Sequence, residues 1–178
     1  IMLDEIVESI QLDIHYGLKT GIAGIGWGIQ HLYQEGFIEL DINVVLEDFD
    51  RRVMELNPPK MLNLNREYGL GGIIIYVLSR LYTIETENLD NPFDPTFLND
   101  IYLRVQSLIN NEDIMYDCMD SVFDFVDYYD NKKPLEKPSV FDVLSLSFDK
   151  EKKLEDLPLG LDGISGIGLK LLLSKVNN

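Results

Sequence analysis

Cysteine, histidine, tryptophan and positive charge are all scarce in this sequence. Its 178 residues hold one Cys (Cys118), one Trp (Trp27), two His (His15 and His31), and 15 Lys+Arg against 31 Asp+Glu, a net charge of −16. A single Cys excludes an intrachain disulfide and gives no sign of an oxidising compartment. The acid excess argues against duplex nucleic acid or anionic lipid as a partner, because phosphates are repelled where counterion release should drive binding. The richest apolar stretch, Leu157 to Val176, is interrupted by Asp162, Lys170 and Lys175, so no membrane span is expected. Ile1-Met2-Leu3-Asp4-Glu5 lacks the basic stretch and apolar core of a signal peptide. A cytoplasmic protein is therefore expected, and the Ile ahead of Met2 points to further residues upstream.

Apolar residues make up 46% and charged residues 26%, ordinary globular usage that allows a sizeable core. The length suits one domain, 1–178. Within it the chain repeats itself. Gly21-Ile22-Ala23-Gly24-Ile25-Gly26 and Gly163-Ile164-Ser165-Gly166-Ile167-Gly168 differ at one position, and Gly69-Leu70-Gly71-Gly72-Ile73-Ile74 is a looser copy. Gly21 and Gly69 lie 48 residues apart, and Gly163 follows Gly69 by 94, twice 47. That interval predicts another copy near Tyr116 that has lost its glycines. A period of this size is that of a helix–turn–helix unit in a helical array.

Helical spacing fills the intervals. Leu3, Ile6, Val7, Ile10 and Ile14 recur at steps of three and four. A second helix opens near Asp41 or Asn43, carries Val45, Phe49, Val53 and Leu56, and stops before Pro58-Pro59. A third starts at Asp94-Pro95, an N-cap followed by proline at the first helical position, and carries Phe97, Leu98, Ile101, Val105, Leu108 and Ile109. The helix that begins near Gly21 is expected to end at Gly36 in a left-handed cap. Segment 139–148 reads as a short helix, although Leu144 to Phe148 alternates like a strand. Glycine-led, strongly apolar helices near 20–35, 68–83 and 162–175 thus alternate with one-sided helices near 42–57 and 95–110. The first kind is buried and the second lies outside. The expected fold is all-α, a partial α/α toroid of about four hairpins with alternating inner and outer helices.

Gly21, Gly24 and Gly28 fall on one helical stripe, and Gly163 and Gly166 repeat its first two positions. Glycine inside a helix costs about 1 kcal/mol relative to alanine, so close approach of a neighbouring helix, or a tight turn just before the helix, is expected to offset it. The order Gly-x-x-Gly-x-Gly with no preceding strand is not the dinucleotide fingerprint. Gly21, Gly24, Gly26, Gly69, Gly72, Gly163, Gly166 and Gly168 are accordingly read as a structural motif.

Tyr16 to Ile29, Tyr68 to Ile73 and Pro158 to Leu169 together resemble the repeat signature of the lanthionine synthetase C-like family. The resemblance implies a double ring of α-helices. It also implies a role in modifying ribosomally made peptides, as in lantibiotic biosynthesis, where active members use zinc to add a cysteine thiol across a dehydrated Ser or Thr. Zinc holds such a thiol as thiolate near neutral pH. Those enzymes bind zinc with two cysteines and one histidine, the last Cys and His being adjacent. This chain has one Cys, and neither neighbour of Cys118 is His. No metal ligand and no cofactor are therefore carried over. The expectation is a non-catalytic or partner-dependent peptide-binding module, monomer or homodimer, whose partners are a precursor peptide or a peptide-modifying enzyme.

Two further clusters are candidate binding residues. Asp117, Asp120, Asp124 and Asp127 form one acidic stripe about 80° wide on a helix expected over 113–130, with Met119, Val122 and Val126 opposite. The stripe either faces solvent or lines the inside of the ring, where it would meet a basic peptide or a cation. Trp27 and His31, spaced i, i+4, share a face of the first inner helix. The alternative from another class is a hydrolase-type enzyme whose paired carboxylates act as acid and base in the cavity of such a toroid.

Overall fold

A computed structural model describes residues 16–19, 21–110 and 118–137. All belong to the first of two compact units into which the chain separates, Ile1–Lys137 and Pro138–Asn178. The expected helices over 3–14 and 162–175, the segment 139–148, and Asp117, Gly163, Gly166 and Gly168 lie outside the described residues. The described residues are all-helical, with no strand: α1 Ile22–Gln34, α2 Ile42–Met54, a 3₁₀ turn Pro58–Lys60, α3 Leu70–Glu87, α4 Pro95–Ile109 and α5 Met119–Tyr129.

Local chemistry explains where the helices begin and end. The Asp41 carboxylate accepts from the backbone N–H of Asn43 and Val44, and Asp94 accepts from Thr96 with Pro95 at the first helical position. These are the starts that the sequence predicts. Gly36 stands in the left-handed region at φ +72°; its N–H donates to Tyr33 O and that of Phe37 to Leu32 O, each at 2.9 Å. Asn88 and Asn131 take the same left-handed position after α3 and α5, at φ 54° and 56°. All three glycine-period helices therefore stop at a left-handed residue; after α1 and α5 the N–H groups beyond the helix satisfy two carbonyls of the last turn, and after α3 the N–H groups of Asn88 and Leu89 share the Ile84 carbonyl.

The period survives at the helix starts. The residues that cap α1, α3 and α5 are Gly21, Gly69 and Cys118, at intervals of 48 and 49. The expected glycine-free copy is thus helical, but with one correction. Cys118 sits before α5 and not within it, because its backbone is held in a non-helical conformation while its buried thiol donates to Leu64 O at 2.8 Å.

Side-chain pairs fix how the helices lie. Gly26 of α1 meets Tyr76 of α3, Gln30 meets Thr83, and Tyr33 meets Glu87. Residue numbers rise together along the two helices, so α1 and α3 are parallel. Cys118 lies against Gly71, and Tyr128 lies against Glu85, so α5 is parallel to α3 on its other side. Between them the chain returns: Asn43 meets Arg80 and Asp50 meets Tyr76, which makes α2 antiparallel to α3. Burial follows the expected alternation only in α3; α1 buries six of its 13 residues and α5 three of its 11, one-sided like the outer helices, because each has fewer neighbours than α3 among the described residues. In α3, fourteen of 18 residues are buried, whereas α2 and α4 bury single stripes, Ile42, Leu46, Phe49 and Val53 in one and Phe97, Leu98, Ile101, Val105 and Leu108 in the other. Each such side chain contributes about 1.5–3 kcal/mol.

The glycines are explained by the turn ahead of each helix. A Cβ on Gly24 would overlap the Leu18 carbonyl, and one on Gly72 would overlap the Arg66 carbonyl, in both cases the carbonyl six residues earlier. Each loop folds back across the first turn of the helix it leads into. Gly26 instead gives room to the Tyr76 ring. The proposed stripe fails at its third member, because nothing lies within 4 Å of a Cβ on Gly28. Gly24 and Gly26 are therefore sterically required, and Gly28 is not. The two loops also touch each other: the Lys19 N–H donates to Glu67 O at 3.4 Å, and Gly17 leaves no room for a Cβ beside that carbonyl.

Candidate functional site

Trp27 and His31 are brought together as their spacing predicts. Their rings stack with centroids 5.2 Å apart and planes 2° apart. Trp27 is buried and the His31 side chain is 21% exposed. At the C-terminal end of α1, His31 Nδ1 lies 3.9 Å from Oε1 of the capping residue Glu35, and the same oxygen is 2.6 Å from Lys137 Nζ. Burial lowers the His31 pKa, partly offset by the Glu35 charge, and Lys137 lowers it further. The pair presents an imidazole edge on an aromatic shelf.

The acidic stripe lies elsewhere, on α5. Asp120 and Asp124 are exposed, Asp127 is half-buried, and Val122, Phe125 and Val126 face the core. The carboxylates meet lysines that follow the helix: Lys133 Nζ is 3.2 Å from Asp124, and Lys132 is 4.0 Å from Asp127 and 2.6 Å from Asp130. The described part of the stripe is a solvated face. Asp120 and Asp124 do not join Trp27 and His31, because α3 packs between α1 and α5. The tyrosines next to this stripe pack: Tyr129 stacks on Tyr102 of α4 at 4.5 Å, and burial beside Glu85 pushes Tyr128 up to about 12.

A polar cluster that sequence reading missed joins three helices. Arg80 of α3 is fully buried; its Nε and Nη2 reach Asp50 of α2 at 3.1 and 2.7 Å. Nη1 donates to Gln30 of α1 at 3.3 Å, and Nη2 also donates to Asn43 of α2 at 3.0 Å. Tyr76 Oη donates to Asp50 at 2.6 Å. Burial raises the Asp50 pKa, against the hydrogen bonds from Arg80 and Tyr76 that favour its charge, and the Tyr76 phenol is pushed well above its ordinary value. Gln34 and Gln30 extend the cluster to Thr83 and Ser79. No buried side-chain polar atom among the described residues is left without a partner. A pair of this kind is strongly destabilising to break, since the survivor is a lone charge in a core.

Asn43 carries that cluster to an opening. An open cavity of about 440 Å³ lies where the α1–α2 and α3–α4 connections meet, lined by Asp41, Asn43, Val44, Glu47, Asn88, Leu89 and Asp90. Three carboxylates surround it, and Val44, 67% exposed, offers apolar surface. None of these residues was a site candidate from sequence, where Asp41 and Asn43 read only as the start of a helix. Among the described residues no group of three or more His, Cys, Asp or Glu is placed to hold a metal ion. No helix among them is long and apolar enough to cross a membrane. Compared with known proteins, the chain matches no family model, no curated sequence and no solved structure.

Proposed function

We propose that this chain is a peptide-binding helical-repeat module of the lanthionine synthetase C-like kind, a partial α/α toroid that serves a peptide-modifying partner without performing zinc-dependent ring closure itself. The observation that carries the reading is the repeated helix entry: Gly24 under the Leu18 carbonyl and Gly72 under the Arg66 carbonyl, 48 residues apart, each opening one of two parallel helices. This is the geometry that the resembling motifs require if they are equivalent units. Cys118 supports the non-catalytic part, since its thiol is buried and donates to the Leu64 carbonyl. The open cavity ringed by Asp41, Glu47 and Asp90 beside Val44 suits a segment that carries both basic and apolar side chains. The hydrolase alternative rests on Asp120 and Asp124; both face solvent and Asp124 is paired with Lys133, so the peptide-binding reading is preferred.

The purified full chain tests this directly. It is expected to bind a Lys-containing peptide with leucine and valine side chains, by fluorescence anisotropy, and to lose affinity about tenfold in a D41N/E47Q/D90N variant, in a salt-dependent manner. Stoichiometric zinc by metal analysis, or thioether formation on a dehydrated cysteine-containing peptide, would overturn the non-catalytic reading. Equal affinity of variant and parent would move the binding site away from this cavity.

A further inference from the structure

We propose that His31, Glu35 and Lys137 form a pH-sensitive clasp that holds the segment 131–137 against α1, closed while His31 is neutral and loosened when it is protonated. This segment follows α5, and its last residue reaches α1 across 103 positions of sequence, where Lys137 Nζ pairs with Glu35 Oε1 at 2.6 Å and approaches the Gln34 carbonyl at 3.5 Å. At its other end Lys132 and Lys133 fasten it to Asp124 and Asp127 of α5 and to Asp130 just after it. The shorter of the two Lys137 contacts is thus to one carboxylate oxygen, and that oxygen also faces His31 Nδ1 at 3.9 Å.

Two cations cannot both take the best position on one oxygen. A protonated His31 attracts Glu35 and repels Lys137, and both effects weaken the Lys137 attachment. The Trp27 ring, stacked on the imidazole, keeps the His31 side chain on this face of α1. Other charges at this end are engaged: Glu87 of α3 accepts from Tyr33, so Glu35 and Lys137 are the groups that act on His31. The coupling is reciprocal: whatever Lys137 does to the proton affinity of His31, the proton does to the attachment of Lys137.

Trp27 is the only tryptophan, and it reports on its partner. A protonated imidazole stacked on the indole is expected to quench its fluorescence, so emission between pH 7.5 and 5 follows His31. Lys137→Met is expected to raise the midpoint by about 0.5 pH unit, equivalent to about threefold weaker attachment on protonation, and Glu35→Gln to lower it. His31→Gln abolishes the step. Spin labels at Leu32→Cys and Glu136→Cys, with Cys118 buried and unlabelled, read the segment itself. Their distance distribution is expected to broaden on acidification in the parent and to stay unchanged in His31→Gln. An unmoved midpoint in Lys137→Met, or broadening that persists in His31→Gln, would overturn the proposal.

Discussion

α1 and α3 enter the fold by the same turn and then diverge. Each is led by a glycine cap, each has its glycine three residues later beneath a carbonyl six residues back, and each ends in a left-handed residue. Yet six of 13 residues are buried in α1 and fourteen of 18 in α3. The reason is visible in register. Shifted by 48, the positions of Tyr76 and Arg80 in α3 are those of Gly28 and Leu32 in α1, one with open space around it and the other exposed. The entry turn is a local backbone device, while the body of each helix is written for its neighbours. α3 has α1 and α5 at its sides and α2 across it, so it can carry a buried ion pair.

The sharpest way to break this comparison is to remove the anchor that α3 has and α1 lacks. Asp50→Asn leaves the Arg80 guanidinium buried without its counter-charge and is expected to cost about 3–5 kcal/mol in urea unfolding. A loss under about 1 kcal/mol would mean that the ion pair is not what distinguishes α3. Next come the shared turns. Gly24→Ala and Gly72→Ala each push a methyl into a backbone carbonyl and are expected to cost about 3 kcal/mol each, by similar amounts; a cost confined to one of them would deny that the turns are equivalent. Gly28→Ala has the opposite sign, because no steric reason for glycine exists there, and is expected to stabilise by about 0.5–1 kcal/mol.

The smallest effect is one of pH. Because the folded His31 pKa is lowered, the unfolded chain takes the proton first as pH falls. The contribution from this site is therefore complete above about pH 6.5 and is lost as pH drops toward the folded value. His31→Gln is expected to remove that slope from the stability profile, measured by denaturant midpoints at successive pH values.

Helix ends were legible because their causes are local: Asp41, Asp94-Pro95 and Gly36 each act within a few residues, and all three hold. The Trp27–His31 stack was legible for the same reason, as an i, i+4 pair. The anchor was not. Asp50 sits on a helix whose other charges face water, and Arg80 lies 30 residues away in a run that otherwise reads as apolar. Nothing local marks either as buried; only the antiparallel return of α2 across α3 joins them. The cavity was hidden likewise, since it arises where two connections distant in sequence meet.

The contact between the two glycine loops has a consequence for how such a chain tolerates change in length. At that end, backbone meets backbone: Lys19 N–H on Glu67 O, Gly17 beside the same carbonyl, Gly24 and Gly72 beneath their own loops. A residue inserted in 17–19 or 64–69 would shift every one of these contacts and the helix behind it. At the opposite end the parallel helices meet through side chains, Tyr33 with Glu87 and Gln34 with Ser79, and the connections 35–41 and 88–94 border an open cavity. Insertions there leave the helix register intact. New loops can accumulate at one end of the repeat while the other keeps its spacing.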